Sequence, residues 1–155
     1  MHPPRILVAD DSALLRSALR GLFRGMGDYE ILEAETGTEA LAKAVEFKPD
    51  LIILDFVMPE MDGLNASRAL QRRCPEIPIL LYSMHYSEQL LLDAKSAGAK
   101  TLISKSETGE LVSAVQELLN SRSASAKPES AASVAAAAQP QESPIPVPAA
   151  GRTAS

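Results

Sequence analysis

The sequence predicts an α/β protein built on a parallel sheet with helices on both faces, and three observations lead there. Leu51-Ile52-Ile53-Leu54 is a run of branched aliphatics without alternation, as in a strand buried on both sides. The run ends on a carboxylate, Asp55, and Pro59 and Gly63 follow, so the chain leaves the sheet into a loop and turns. Three further apolar runs also end in polar groups, and strand-like segments alternate with helix-like ones along the chain.

The elements follow in order. Arg5-Ile6-Leu7-Val8-Ala9 is an apolar run stopped by Asp10-Asp11, with Ser12 placed to cap a helix. Leu14, Leu15, Ala18, Leu19, Leu22 and Phe23 recur at helical spacing, with Arg16, Arg20 and Arg24 assigned to the opposite face; Gly25 to Gly27 ends the helix. Tyr29 to Ala34 mixes charged and apolar residues, which suits an edge strand. Thr36-Gly37 turns the chain into a helix over Thr38 to Phe47, with Ala40, Leu41, Ala44 and Val45 inward. The strand Leu51 to Asp55 comes next, then a loop, then a helix over Leu64 to Arg73 that stops before Pro75. Ile77 to Tyr82 reads as a fourth strand ending at Ser83, and Ser87 to Ala97 as a helix stopped by Gly98. Lys100 to Ser104 is a fifth strand ending at Lys105, and Thr108 to Asn120 a fifth helix built on Leu111, Val112, Val115, Leu118 and Leu119.

Five strand–helix alternations joined by right-handed crossovers give a doubly wound (βα)5 sheet. The flavodoxin-like strand order 2-1-3-4-5 puts the polar second strand at an edge, as its composition asks.

Composition bounds the rest. At 155 residues, 46% apolar and 23% charged with no tryptophan, the chain holds one domain with a real core. A net charge of −5 makes a nucleic-acid surface a poor first expectation. Cys74, the sole cysteine, has no partner for an intramolecular disulfide, and no Cys/His cluster suggests zinc. Nothing approaches a membrane span or a signal h-region, so a cytoplasmic protein is the expectation. From Ser121 onward, 23 of 35 residues are alanine, serine or proline, and none is aromatic, leucine or methionine. Such a segment buries too little apolar surface to offset its ordering entropy. The expected organisation is a folded domain over 1–121 and a disordered tail over 122–155.

In the predicted strand order, Asp10/Asp11, Asp55, Ser83 and Lys105 end four neighbouring strands and converge at the carboxyl edge of the sheet, where open α/β folds place ligands. Three close carboxylates repel one another, and a hard divalent cation such as Mg²⁺ relieves that penalty. A lysine ammonium and a serine hydroxyl complete a set suited to the oxygens of a transferring phosphoryl group. The chemistry implied is attack by Asp55 on phosphorus to give an aspartyl phosphate. The bland alternatives are that Asp55 caps a helix and that the acidic pair does the same, though two acids exceed what a cap requires.

These residues match a family. From about Arg5 to Asn120 the chain resembles the receiver domain of two-component response regulators. The resemblance rests on Asp10-Asp11 after the first strand and on Asp55-Phe56-Val57-Met58-Pro59-Glu60-Met61-Asp62-Gly63 as the phosphoacceptor loop. It extends to Glu35-Thr36-Gly37-Thr38-Glu39-Ala40-Leu41, Ser83 at the hydroxyl position, Ala97-Gly98-Ala99-Lys100, and Lys105 at the lysine position.

That resemblance implies that Asp55 accepts a phosphoryl group from a phosphohistidine on a sensor histidine kinase or phosphotransfer protein. It implies Mg²⁺ held by Asp11, Asp55 and the backbone carbonyl of Val57, with Asp10 acting through water. Lys105 and Ser83 would contact the phosphoryl oxygens. An unknown output protein would read the face formed by helix four, strand five and helix five, through which receivers also often form homodimers. His85, two residues beyond Ser83, stands where the family tunes phosphoryl lifetime; otherwise it is a loop histidine at the mouth of the site. Direct DNA binding is not expected.

Two departures bear on readout rather than on phosphotransfer. Leu102 stands where the family usually has the tyrosine or phenylalanine that moves with the hydroxyl. Ser106 follows Lys105 where many members have proline; without it a cis bond costs roughly 2.5–4 kcal/mol, so trans is assumed.

Two other functions compete. A phosphohydrolase of the haloacid dehalogenase type also uses an Asp nucleophile, but that family places a second Asp two residues on, where this chain has Val57, and no cap domain fits the length. A receiver-shaped adaptor that signals without phosphorylation is the other; Leu102 favours it and the complete acidic set opposes it.

Overall fold

The computed structural model describes residues 3–121. The chain divides into two units, Met1–Leu119 and Asn120–Ser155, and the sheet with the helices packed on it belongs to the first. The segment expected as a disordered tail, 122–155, lies outside the described residues.

The elements alternate as β1 (Arg5–Ala9), α1 (Ala13–Met26), β2 (Glu30–Ala34), α2 (Gly37–Phe47) and β3 (Leu51–Asp55). They continue as α3 (Gly63–Arg73), β4 (Ile79–Ser83), α4 (Glu88–Ser96) and β5 (Thr101–Ser104), and residues 108–121 form a fifth helix, α5. All four strand pairings are parallel, in the order β2-β1-β3-β4-β5, which is the predicted flavodoxin-like topology. β4 begins two residues later than its apolar run. Ile77 gives its N–H to the Cys74 carbonyl in a turn, and Pro78 has none to give.

Four helices start on side-chain caps. Ser12, Thr36, Asp62 and Ser87 accept from the N–H groups of Leu15, Glu39, Asn65 and Leu90, each satisfying a donor the helix cannot. Two residues past the end of α4 stands Gly98, whose φ of +95° favours a residue without a Cβ; one there would meet the Gln71 side chain at 2.8 Å.

The pleat of β3 divides its side chains between two cores. Ile52 and Leu54 join Leu7, Ile79, Leu81 and Leu102 under α2, α3 and α4. Leu51 and Ile53 join Ile6, Val8, Leu80, Leu19, Phe23, Leu111 and Val115 under α1 and α5. Burial of each such side chain contributes about 1.5–3 kcal/mol, which fixes β3 in the middle of the sheet. A one-residue slip would exchange its two faces and displace Asp55 from the sheet edge.

The helix-one pattern differs from the sequence reading at three positions, one of them Ala18, which is exposed. Leu14 is 82% exposed, whereas Arg16 is buried at 8% and joins Leu19 and Phe23 on the inward face. The i, i+7 relation between Arg16 and Phe23 places them about 20° apart on an ideal helix, so geometry puts the arginine inside. Polar partners at the sheet edge make the charge tolerable there.

The turn out of β3 is closed by Gly63, which donates its N–H to the Phe56 carbonyl at 2.8 Å. A Cβ at Gly63 would lie 2.5 Å from the Asp55 carbonyl oxygen and 2.7 Å from the Phe56 Cα. Those neighbours are backbone, so the loop itself would have to move. Gly63→Ala is therefore expected to lower stability by about 1–3 kcal/mol in urea unfolding. Gly21→Ala, in the exposed middle of α1 with open space around it, is expected to raise it by about 0.5–1 kcal/mol in the same measurement.

Candidate functional site

The parallel register carries four strand ends to one edge. β3 pairs Asp55 with Tyr82 of β4, one residue short of Ser83, and Ser83 pairs with Ser104 of β5, one residue short of Lys105. On the other side Ala9 pairs with Leu54, so the chain past β1 delivers Asp10 beside Asp55. Backbone bonds extend the ladder past the strands: Asp10 N–H to Ala34, Phe56 N–H to Tyr82, and Lys105 N–H to Ser83 at 2.7 Å.

Asp10 is 2% exposed and Asp55 5%, while Asp11 faces solvent. One carboxylate oxygen from each lies within 4.8 Å of the others. Lys105 stands between the two buried acids. Its Nζ donates to Asp10 Oδ2 at 2.9 Å and lies 3.0 Å from Asp55 Oδ1, with the Tyr82 ring centroid 5.9 Å away. Asp10 also accepts the Ser12 N–H at 2.8 Å, which shapes the turn into α1.

Burial pushes the Asp55 carboxyl above the ordinary carboxylate value and the Asp10 charge adds to the rise; bonds from Lys105 and the Val57 N–H oppose it without cancelling it. For Lys105, burial works against the ammonium, but the bonds and charges of Asp10 and Asp55 outweigh it and leave its pKa above the usual lysine value. The site thus holds one fixed cation among three acids. A further divalent cation with oxygen preference fits this set, because three hard donors meet at one point with two negative charges in excess.

The remaining residues singled out from the sequence fall around this cluster. Ser83 is buried, and its Oγ accepts the His85 N–H at 3.1 Å. His85 itself is exposed in the loop beyond β4, and Val57 is 65% exposed in the loop beyond β3. Met58 is buried in the α2–α3–α4 core, as adaptable packing. Cys74 is buried, and burial pushes its thiol up, which makes it a poor nucleophile. Leu102 is 2% exposed in the same core as Ala94 of α4. Beside it a cavity of about 480 Å³ is lined by Tyr86, Leu102, Glu107 and Glu110 among others.

The periodicity reading missed Arg16. Its Nη1 donates to the Asp10 carbonyl at 2.6 Å, its Nε to Glu33 Oε1 at 3.0 Å, and its Nη2 lies 3.7 Å from Glu35 Oε2. Arg20 also pairs with Glu33. Burial alone would raise the Glu33 pKa, but the two arginines bring it below the ordinary value. The signal was in the sequence: Arg16 keeps heptad step with Phe23, and the next strand carries glutamates.

Comparison with known proteins agrees with this geometry. Residues 6–116 match the family described as the response regulator receiver domain. The chain is 33% identical over 117 residues to the chemotaxis protein CheY of Bacillus subtilis, covering 75% of this chain and 98% of that one. Among solved structures it is similar to a two-component response regulator of the LuxR family from Aurantimonas (TM-score 0.73, 30% identity, 77% of this chain and 87% of that one). It is also similar to the response regulator domain of Thermotoga maritima CheB (TM-score 0.70, 26% identity, 77% and 98%).

The raised Asp55 pKa has a signed consequence for stability. At low pH Asp55 is protonated folded and unfolded, so it costs nothing. As pH rises past its unfolded value, only the unfolded chain ionises freely, and the fold loses stability until pH exceeds the folded value. Asp55→Asn is expected to raise the thermal midpoint at pH 7, and the gap to wild type should close as pH falls toward 4, followed by circular dichroism.

Proposed function

Because this chain belongs to the response regulator receiver domains of two-component systems, we propose that it is a Mg²⁺-dependent phosphoacceptor that signals by phosphorylation-dependent protein contacts in a phosphorelay. The observation that carries the reading is Asp55, buried at the end of the central strand, with Lys105 bridging it to Asp10 and with Asp11 close by.

A carboxylate oxygen of Asp55 attacks the phosphorus of a phosphohistidine on a sensor histidine kinase or phosphotransfer protein. The P–N bond breaks, its electron pair leaves with the imidazole, and the product is an acyl phosphate on Asp55. Asp11, Asp55 and the Val57 backbone carbonyl would hold Mg²⁺, with Asp10 acting through water, and the bound cation supplies positive charge to the phosphoryl oxygens. Lys105 supplies the second positive charge and keeps the buried acids apart in role. The Ser83 hydroxyl, at present an acceptor for the His85 N–H, turns to donate to a phosphoryl oxygen. His85, exposed beside it, stands where it can affect access of water to the acyl phosphate.

The chain acts as a phosphoacceptor, with self-phosphorylation from a donor and self-dephosphorylation as its only chemistry. Readout passes to an output protein through the α4–β5–α5 face, which also offers a homodimer contact; direct DNA binding is not part of this reading. The proposed place of action is the cytoplasm; no helix among the described residues is long and apolar enough to cross a membrane. One observation favours a second reading, an adaptor that works without phosphorylation: Leu102 is packed among aliphatics, so the aromatic switch of the family is missing.

Intact-mass spectrometry decides between them. After acetyl phosphate or a phosphohistidine donor, wild type is expected to gain one phosphoryl adduct that needs Mg²⁺ and is absent from Asp55→Asn. No adduct from either donor, with the fold intact by circular dichroism, would leave the adaptor reading.

A further inference from the structure

The peptide that carries the acidic pair is held at both ends. The Asp10 N–H donates to Ala34 at 3.0 Å, and the Asp10 carbonyl accepts from Arg16 at 2.6 Å. Asp11 follows directly on that carbonyl, so the direction of the Asp10 C=O sets where the Asp11 side chain starts. Arg16 is itself fixed by Glu33, whose strand register against β1 is continuous from Arg5–Glu30 to Ala9–Ala34. A planar fork with several donors can hold a carbonyl and a carboxylate at once; an ammonium cannot reproduce that geometry.

We propose that Arg16 is a positioning residue for the cation site, clamping the Asp10 carbonyl against Glu33 so that Asp10 and Asp11 are held at the spacing a divalent cation needs. The inference rests on the reading that this cluster binds Mg²⁺. It deepens that reading by assigning a role to a group that contacts neither the cation nor the phosphoryl donor.

Charge and position make opposite predictions. A guanidinium near three acids repels an incoming cation, so if Arg16 acted only through its field, removing it would tighten Mg²⁺ binding. If it acts through position, removal loosens the acidic turn and weakens binding in spite of the charge lost. The sign of the change separates the two.

The test is isothermal titration calorimetry of the full chain with Mg²⁺, in wild type, Arg16→Met, Arg16→Lys and Arg20→Met. Arg16→Met keeps the aliphatic packing and is expected to raise the Kd about tenfold, equivalent to about 1.4 kcal/mol. Arg16→Lys keeps the charge without the fork and should also bind more weakly than wild type. Arg20→Met removes a Glu33 contact without touching Asp10 and should leave Kd within about twofold. Saturating Mg²⁺ should restore the phosphorylation rate of Arg16→Met, since the reacting groups are intact.

Unchanged or tighter Mg²⁺ binding in Arg16→Met, with wild type binding normally, overturns this inference and leaves the phosphoacceptor reading standing. If wild type itself takes up no Mg²⁺, the functional reading fails and this inference with it. Should Arg16→Met not fold, Arg16→Lys carries the test, joined by amide hydrogen exchange. Faster exchange at Asp11 and Ser12 supports the clamp, and exchange equal to wild type together with equal Kd overturns it.

Discussion

Asp10 and Asp55 are buried side by side, and a single ammonium, that of Lys105, lies within 3.0 Å of both. Two ionised carboxylates at that depth repel each other and lose hydration, and either alone would be costly. The lysine makes the arrangement tolerable without making it comfortable, which is why Asp55 remains harder to ionise than a free aspartate. Everything else about the sheet edge follows from keeping these three groups in register. β1, β3 and β5 must be parallel, adjacent to β4 or to one another, and ended at matching heights.

The fold supplies that registration through apolar burial rather than through polar contacts. Four consecutive aliphatic side chains of β3 feed two cores, so its position along the sheet has no slack. Gly63 then brings the backbone of α3 against the Asp55 carbonyl at a distance that excludes any side chain. The loop between them is thus braced by the helix that follows. A residual charge imbalance at such a site is a cost to stability borne by the rest of the domain.

How much of this was legible in the sequence depends on which side chains carried the signal. β1 and β3 could be read to the residue, because unbroken apolar runs stopped by acids have few other structural meanings. The mixed charge of β2 marked it as an edge, and pairing to β1 alone confirms it. The convergence of Asp10, Asp11, Asp55 and Lys105 followed once strand order was inferred. Arg16 did not follow, because residue type suggests solvent while helical phase points inward, and here phase wins. Leu14 fails for the converse reason: an aliphatic in the first turn of α1 suggests the core, although its place on the helix leaves it exposed. The tightness of Gly63 was beyond any pattern, since a glycine after an aspartate reads as a turn whether or not another backbone presses on it.

Lys105 and Asp10 are separated by 95 residues along the chain. A contact of that span is among the last a folding chain can form, since loop closure must be compensated by structure already present. While β5 is still missing from the sheet, Asp10 and Asp55 are neighbours without the ammonium that later lies between them. The sheet edge is thus completed only when its final strand docks, and a chain cut short of Lys105 is expected to hold its two buried acids uncompensated.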